Sequence, residues 1–201
     1  MTSHNTAATI DPDEKMRADF YDFLAGFLAR PPSAEWLAAA AALQGDESPM
    51  GRAIDALARV AAHSTPRAAE REFNALFIGL GRGELLPFAS VYLTGFLNEK
   101  PLTLLRRDMA VLGIHRADDV FEPEDNIASL MEMMAGLIEG RFGAPAGLQS
   151  QRDFFSRHIA PWAGPFFSDL EAAKGSVLYA PIGQIGRLFI EIEKEAFRLG
   201  G

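Results

Sequence analysis

Three times in the first seventy residues a polar residue stands directly before a proline, at Asp11-Pro12, Ser48-Pro49 and Thr65-Pro66, and each pair precedes apolar residues at helical spacing. The side-chain oxygen of the first residue can accept an N–H of the first helical turn. Proline loses nothing at the first helical position, where the N–H has no partner within the helix. Asp11-Pro12-Asp13-Glu14 opens a stripe of Met16, Phe20, Phe23, Leu24, Phe27 and Leu28 that Arg30-Pro31-Pro32 ends. Ser33 caps a second stripe, Trp36, Leu37, Ala40 and Leu43, with Gly45 as terminator. Ser48-Pro49 precedes Ile54, Leu57, Ala58 and Ala61, and Thr65-Pro66 precedes Phe73, Leu76 and Phe77. No segment shows the period-two alternation of a strand, so the fold class is all-α.

The helical pattern breaks at Gly79-Leu80-Gly81-Arg82-Gly83, and Pro87 follows shortly after. The irregular stretch that begins there carries Leu85, Leu86, Phe88, Val91, Tyr92, Phe96 and Leu97, too apolar for an idle solvent loop. Helical spacing resumes at Leu102, Leu105, Met109 and Leu112, stopped by Gly113. Pro161 and Pro165 are expected to divide their region into short turns bearing Trp162, Phe166 and Leu170. Pro181 then opens a last helix with the stripe Ile182, Ile185, Phe189, Ile192, Ala196 and Leu199. The expectation is a flexible tail over residues 1–10 and, over residues 11–201, a single-domain helical bundle of roughly eight to ten helices.

Between these elements, Asp118, Asp119, Glu122, Glu124 and Asp125 place five carboxylates within eight residues that hold no Lys or Arg. They lead into a helix from Ile127 to about Glu139, whose stripe of Ile127, Leu130, Met131, Met134, Leu137 and Ile138 includes part of a Met cluster at 131, 133 and 134. Pro123 suits a first helical residue, and acid there is favoured by the helix dipole. A capped core helix is one reading. The other is an acidic rim beside a soft Met-rich surface that receives a basic and apolar peptide. The net charge of −8, from 19 Lys plus Arg against 27 Asp plus Glu, disfavours nucleic acid and anionic membrane and suits a basic partner.

The chain has no cysteine, which excludes disulfides, thiolate metal sites and cysteine nucleophiles. No apolar run follows a basic start and the longest purely apolar run is Trp36–Leu43, so neither a secretory signal nor membrane insertion is expected, and the cytoplasm is the expected location. The glycines at 79–83 lack the dinucleotide pattern, because Glu84 stands where a glycine is needed and no Gly-Lys-Ser/Thr follows. His4, His63, His115 and His158 are scattered, with no pair at ligand spacing. His158, between Phe155 and Trp162, reads as a hydrogen-bonded core histidine, and Arg106-Arg107 as a solvated helix face. No catalytic constellation, metal site or cofactor is expected.

Three ordered segments carry a likeness. The first is Glu72-Phe73-Asn74-Ala75-Leu76-Phe77-Ile78-Gly79 with its continuation Leu86-Pro87-Phe88-Ala89-Ser90-Val91-Tyr92. The second is Glu122-Pro123-Glu124-Asp125-Asn126, and the third is Phe154-Phe155-Ser156-Arg157-His158-Ile159-Ala160-Pro161-Trp162. Together they resemble the TorD/DmsD family of molybdoenzyme maturation chaperones. That resemblance implies a TorD-like all-helical fold and a cytoplasmic, non-enzymatic, client-specific chaperone. Its partners would be the twin-arginine signal peptide and the apo form of a molybdopterin-dependent oxidoreductase, held for cofactor insertion before export. It implies a peptide-binding surface of Leu76, Phe77, Pro87, Phe88, Ser90, Tyr92, Glu122, Pro123, Asp125 and Asn126, on a monomer or homodimer. Asn126 departs from the family pattern, which has histidine there; asparagine keeps the hydrogen bond and cannot change charge. Two alternatives remain, a NarJ-like assembly chaperone for a reductase subunit without a cleaved signal, and a small nucleotide-binding hydrolase using the carboxylates at 122–125.

Overall fold

A computed structural model describes residues 10–79, 83–116 and 122–200. Among them are ten α-helices: α1 (Pro12–Leu28), α2 (Ala34–Ala41), α3 (Pro49–Ala62), α4 (Pro66–Phe73), α5 (Ala89–Thr94), α6 (Lys100–Leu112), α7 (Ile127–Glu139), α8 (Leu148–Phe154), α9 (Ala163–Ala172) and α10 (Tyr179–Leu199). Two π-helical turns, Asn74–Ile78 and Phe155–Ile159, prolong α4 and α8. All-α is therefore right, with no strand among the described residues. The expected tail lies outside them apart from Ile10.

The start signals work as read. Side-chain oxygens of Asp11, Ser33, Ser48 and Thr65 accept from Asp13, Trp36, Gly51 and Ala68 N–H, and prolines open α1, α3 and α4. Gly113 and Gly140, at φ of 71° and 78°, end α6 and α7 in the left-handed conformation that costs glycine least. α1 lies along α7, α9 along α10, and α3 bridges α2 and α10. Trp162, Tyr21, Tyr179 and Phe27 are fully buried among them. No helix among the described residues is long and apolar enough to cross a membrane.

Four expectations need correction. Pro161 and Pro165 do not break their region into short turns, because Pro165 sits in the first turn of α9, where a missing N–H costs nothing. The irregular stretch after Gly79 contains α5, whose anchor comes from far along the chain. In α10 the buried face moves from Ile182, Ile185 and Phe189 to Ile190, Glu193 and Phe197, leaving Ile192 and Leu199 53% and 67% exposed. The reason is Glu193, which turns inward to meet Arg17 and Tyr21. Finally, Met131, Met133 and Met134 are all buried, so they form core and not a Met-rich receiving surface.

Candidate functional site

The loop before α5 and the turn before α7, 35 residues apart in sequence at Ser90 and Asp125, are stitched together by backbone. Ala89 N–H donates to Asp125 O at 2.9 Å and Ile127 N–H donates to Pro87 O at 2.9 Å. Phe88 and Asn126 face each other between these bonds as an isolated antiparallel bridge. Two adjacent side chains then hold one helix start each. Asp125 Oδ2 accepts from Ser90 N–H at 2.7 Å, anchoring α5, and Asn126 Oδ1 accepts from Ala128 N–H at 2.9 Å, capping α7. Helix α7 thus starts at Ile127 and not at Pro123, because Asn126 supplies the cap.

The expected acidic rim is mostly turned inward. Glu122 is exposed, whereas Glu124 and Asp125 are buried. Glu124 receives Arg106 through Nε at 3.0 Å and Nη2 at 2.8 Å, and Arg116 lies 3.7 Å away. Burial alone would raise the Glu124 carboxyl, but Arg106, its own backbone N–H and Arg116 together hold it below the usual carboxylate range. Arg106 is therefore an ion-pair partner and not a merely solvated arginine. Asp118, Asp119 and Phe121 lie outside the described residues.

Asp125 is 1% exposed, and its second oxygen, Oδ1, has no hydrogen-bond partner. The Ser90 hydroxyl is in the same condition. Buried polar atoms are nearly always paired, so an unpaired carboxylate oxygen marks a place where a donor belongs. Asp125 lines a cavity of about 510 Å³. Leu93 of α5, Leu104 and Leu105 of α6 and Leu130 of α7 form its apolar lining, and Arg107, Asp108, Arg157 and His158 add polar groups.

His158, as expected, is a buried and hydrogen-bonded histidine. Its Nε2 lies 2.8 Å from Asp108 Oδ2, which also accepts from Arg157 Nη1 at 3.1 Å, and its carbonyl accepts from the Trp162 indole at 2.8 Å. Burial pulls the imidazole below its ordinary range, against the Asp108 carboxylate and with the help of Arg157. The folded chain therefore resists a proton that the unfolded chain accepts near pH 6.5, and stability falls as pH drops through that value. His158→Gln is expected to remove this part of the acid sensitivity. In chemical denaturation at about pH 7.5 and about pH 5.5 the variant should lose less stability than the parent, whereas equal losses would discount His158.

Of the residues singled out from sequence, Pro87, Phe88, Ser90, Asp125 and Asn126 meet at the junction, and Glu122 and Pro123 lead into it. Leu76 and Phe77 lie elsewhere. Leu76 is fully buried, and Phe77 packs edge-on against Phe73 and Tyr179. Tyr92 packs on Trp162 and Phe166 and donates to Asp169 Oδ2 at 2.9 Å, so it supports α5 from the side away from the cavity lining. Sequence reasoning did not place the α6 wall, Leu104, Arg107 and Asp108, at this site. Only the double arginine at 106–107 stood out locally.

An all-helical fold with a peptide-sized cleft at a helix start describes an adaptor more than a catalyst. Residues 43–168 match the family described as the nitrate reductase delta subunit, and the chain belongs to that family, whose TorD-type members are redox enzyme maturation proteins. The chaperone protein TorD of Vibrio cholerae serotype O1 (strain ATCC 39315) is 31% identical over 130 residues, 61% of this chain and 59% of the relative. That of Vibrio parahaemolyticus serotype O3:K6 is 24% identical over 137 residues, 64% of this chain and 63% of the relative. The matched stretch thus spans about three fifths of these relatives. A crystal structure of a candidate redox enzyme maturation protein from Archaeoglobus fulgidus shares the fold, with a TM-score of 0.57, 22% identity and coverage of 88% of this chain and 94% of the other.

Proposed function

We propose that this chain is a cytoplasmic, client-specific maturation chaperone. It binds the twin-arginine signal peptide of a molybdoenzyme precursor and holds the precursor for cofactor insertion before export. The observation that carries this reading is the unpartnered Asp125 Oδ1 at an apolar cavity, built where the Pro87–Ser90 loop is joined to the Asp125–Ile127 turn. A guanidinium supplies the missing donor, and the apolar stretch that follows twin arginines matches the Leu-lined walls. Phe96 at 69% exposure and Leu97 at 45% extend the apolar surface just beyond α5. The names of the curated relatives support a chaperone over an enzyme. So does the engagement of Glu124 with Arg106 and of Asp125 with Ser90, which leaves no free carboxylate pair for hydrolysis.

Calorimetry of the folded protein with synthetic signal peptides from molybdoenzyme precursors encoded beside it tests the proposal. Saturable binding to at least one is the expected result, and no binding to any of them overturns it. The matched family's description as a nitrate reductase subunit favours one other reading, an assembly chaperone for a reductase subunit without a cleaved signal. Identification of the co-purifying subunit separates the two.

A further inference from the structure

The cavity beside Asp125 carries charge of both signs, and only part of it is used within the protein. Arg157 and His158 share Asp108, and Ser90 N–H occupies one Asp125 oxygen. Two groups of the lining remain unspent. One is Asp125 Oδ1, buried and without a hydrogen-bond partner. The other is the Arg107 guanidinium, which is exposed and has no ion pair among the described residues. Its neighbour Arg106 is already committed to Glu124. Leu93, Leu104 and Leu105 complete the lining.

A purely cationic ligand would satisfy Asp125 and be repelled by Arg107, while a purely apolar one would strand the buried carboxylate oxygen. We propose that the occupant is a peptide segment in which an arginine lies next to an acidic residue, its guanidinium meeting Asp125 and its carboxylate meeting Arg107. Arg107 is then a specificity-determining residue that selects among client peptides. This rests on the peptide-binding reading above and adds to it a requirement on the client's sequence. The division of labour follows from burial. Asp125, out of water, fixes the arginine in place, whereas Arg107, in water, contributes discrimination and encounter rate more than affinity.

The test is calorimetry of the full chain with two synthetic peptides that share length and apolar stretch, one reading Arg-Arg-Glu and the other Arg-Arg-Lys at the same place. The Glu peptide is expected to bind about fivefold more tightly to the parent. Arg107→Glu should reverse that order, and Arg107→Lys should keep it. If neither peptide binds the folded protein, the chaperone reading falls and this one with it. If both bind equally, or if Arg107→Glu leaves the preference unchanged, the peptide site stands and the Arg107 assignment is overturned. Free arginine, which carries both charges, binding as tightly as the Glu peptide would overturn the choice of a peptide as occupant. Because Arg107 is exposed, its variants should melt with the parent.

Discussion

Asp125→Asn is expected to weaken binding of a twin-arginine peptide by about ten- to a hundredfold while the protein melts within a few degrees of the parent. The reason lies in the different tasks of the two carboxylate oxygens. Oδ2 accepts from Ser90 N–H and anchors α5, and an asparagine oxygen can take over that bond. Oδ1 has no internal partner, so replacing it with an amide NH₂ costs the fold little but sets a donor against the incoming guanidinium. Asp125→Ala should behave differently, because it also strands the Ser90 N–H. That loss is worth about 1–3 kcal/mol and lowers the melting temperature as well as the affinity. Calorimetry and thermal melting of the pair separate recognition from anchoring. An Asn variant that binds like the parent would remove Asp125 from the site.

The largest expected effect on stability lies on the far side of the bundle. Glu193 is 1% exposed and receives Arg17 through Nε at 2.9 Å and Nη2 at 2.8 Å, together with the Tyr21 hydroxyl at 2.8 Å. Arg17 also donates to Gln151 at 3.1 Å and lies over the Phe197 ring at 5.1 Å. Burial, reinforced by the Glu193 charge, holds the Tyr21 hydroxyl protonated far above its ordinary range, so it serves as a donor throughout. Arg17→Leu leaves that carboxylate buried with one neutral donor, at a cost of about 3–5 kcal/mol. For a chain of this size the melting temperature should fall by about 6–20 °C. Arg17→Leu combined with Glu193→Leu should recover much of the loss, because two apolar groups leave no stranded charge. A single variant as stable as the parent would show that the pair contributes nothing net.

What could be read from sequence, and what could not, divides by range. Asp11, Ser33, Ser48 and Thr65 announce helices because a cap and the N–H groups it serves lie two or three residues apart. Gly113 and Gly140 announce helix ends for a similarly local reason. Helix α5 was not legible as a helix, since its anchor Asp125 lies 35 residues away. Likewise the spacing of α10 favoured Ile192 for the buried face, and only the meeting with Arg17, 176 residues distant, turns Glu193 inward. At the candidate site, Pro87, Phe88, Ser90, Asp125 and Asn126 could be picked out by likeness to a family. The α6 wall could not, because no local pattern links Leu104 or Arg107 to a turn that folds against them from outside the helix.

The two π-helical turns bear on how relatives of this chain are compared. Each holds one residue more per turn than the α-helix it extends, the first just before the Gly79 break and the second carrying His158. Deleting one residue from either would restore ordinary winding and turn every downstream side chain of that helix by about 100°. In the second turn that would carry His158 and Arg157 away from Asp108, and with them part of the cavity wall. Single-residue gaps in an alignment are therefore as informative here as substitutions. A relative one residue shorter at Phe155–Ile159 has a re-aimed wall even where its letters match.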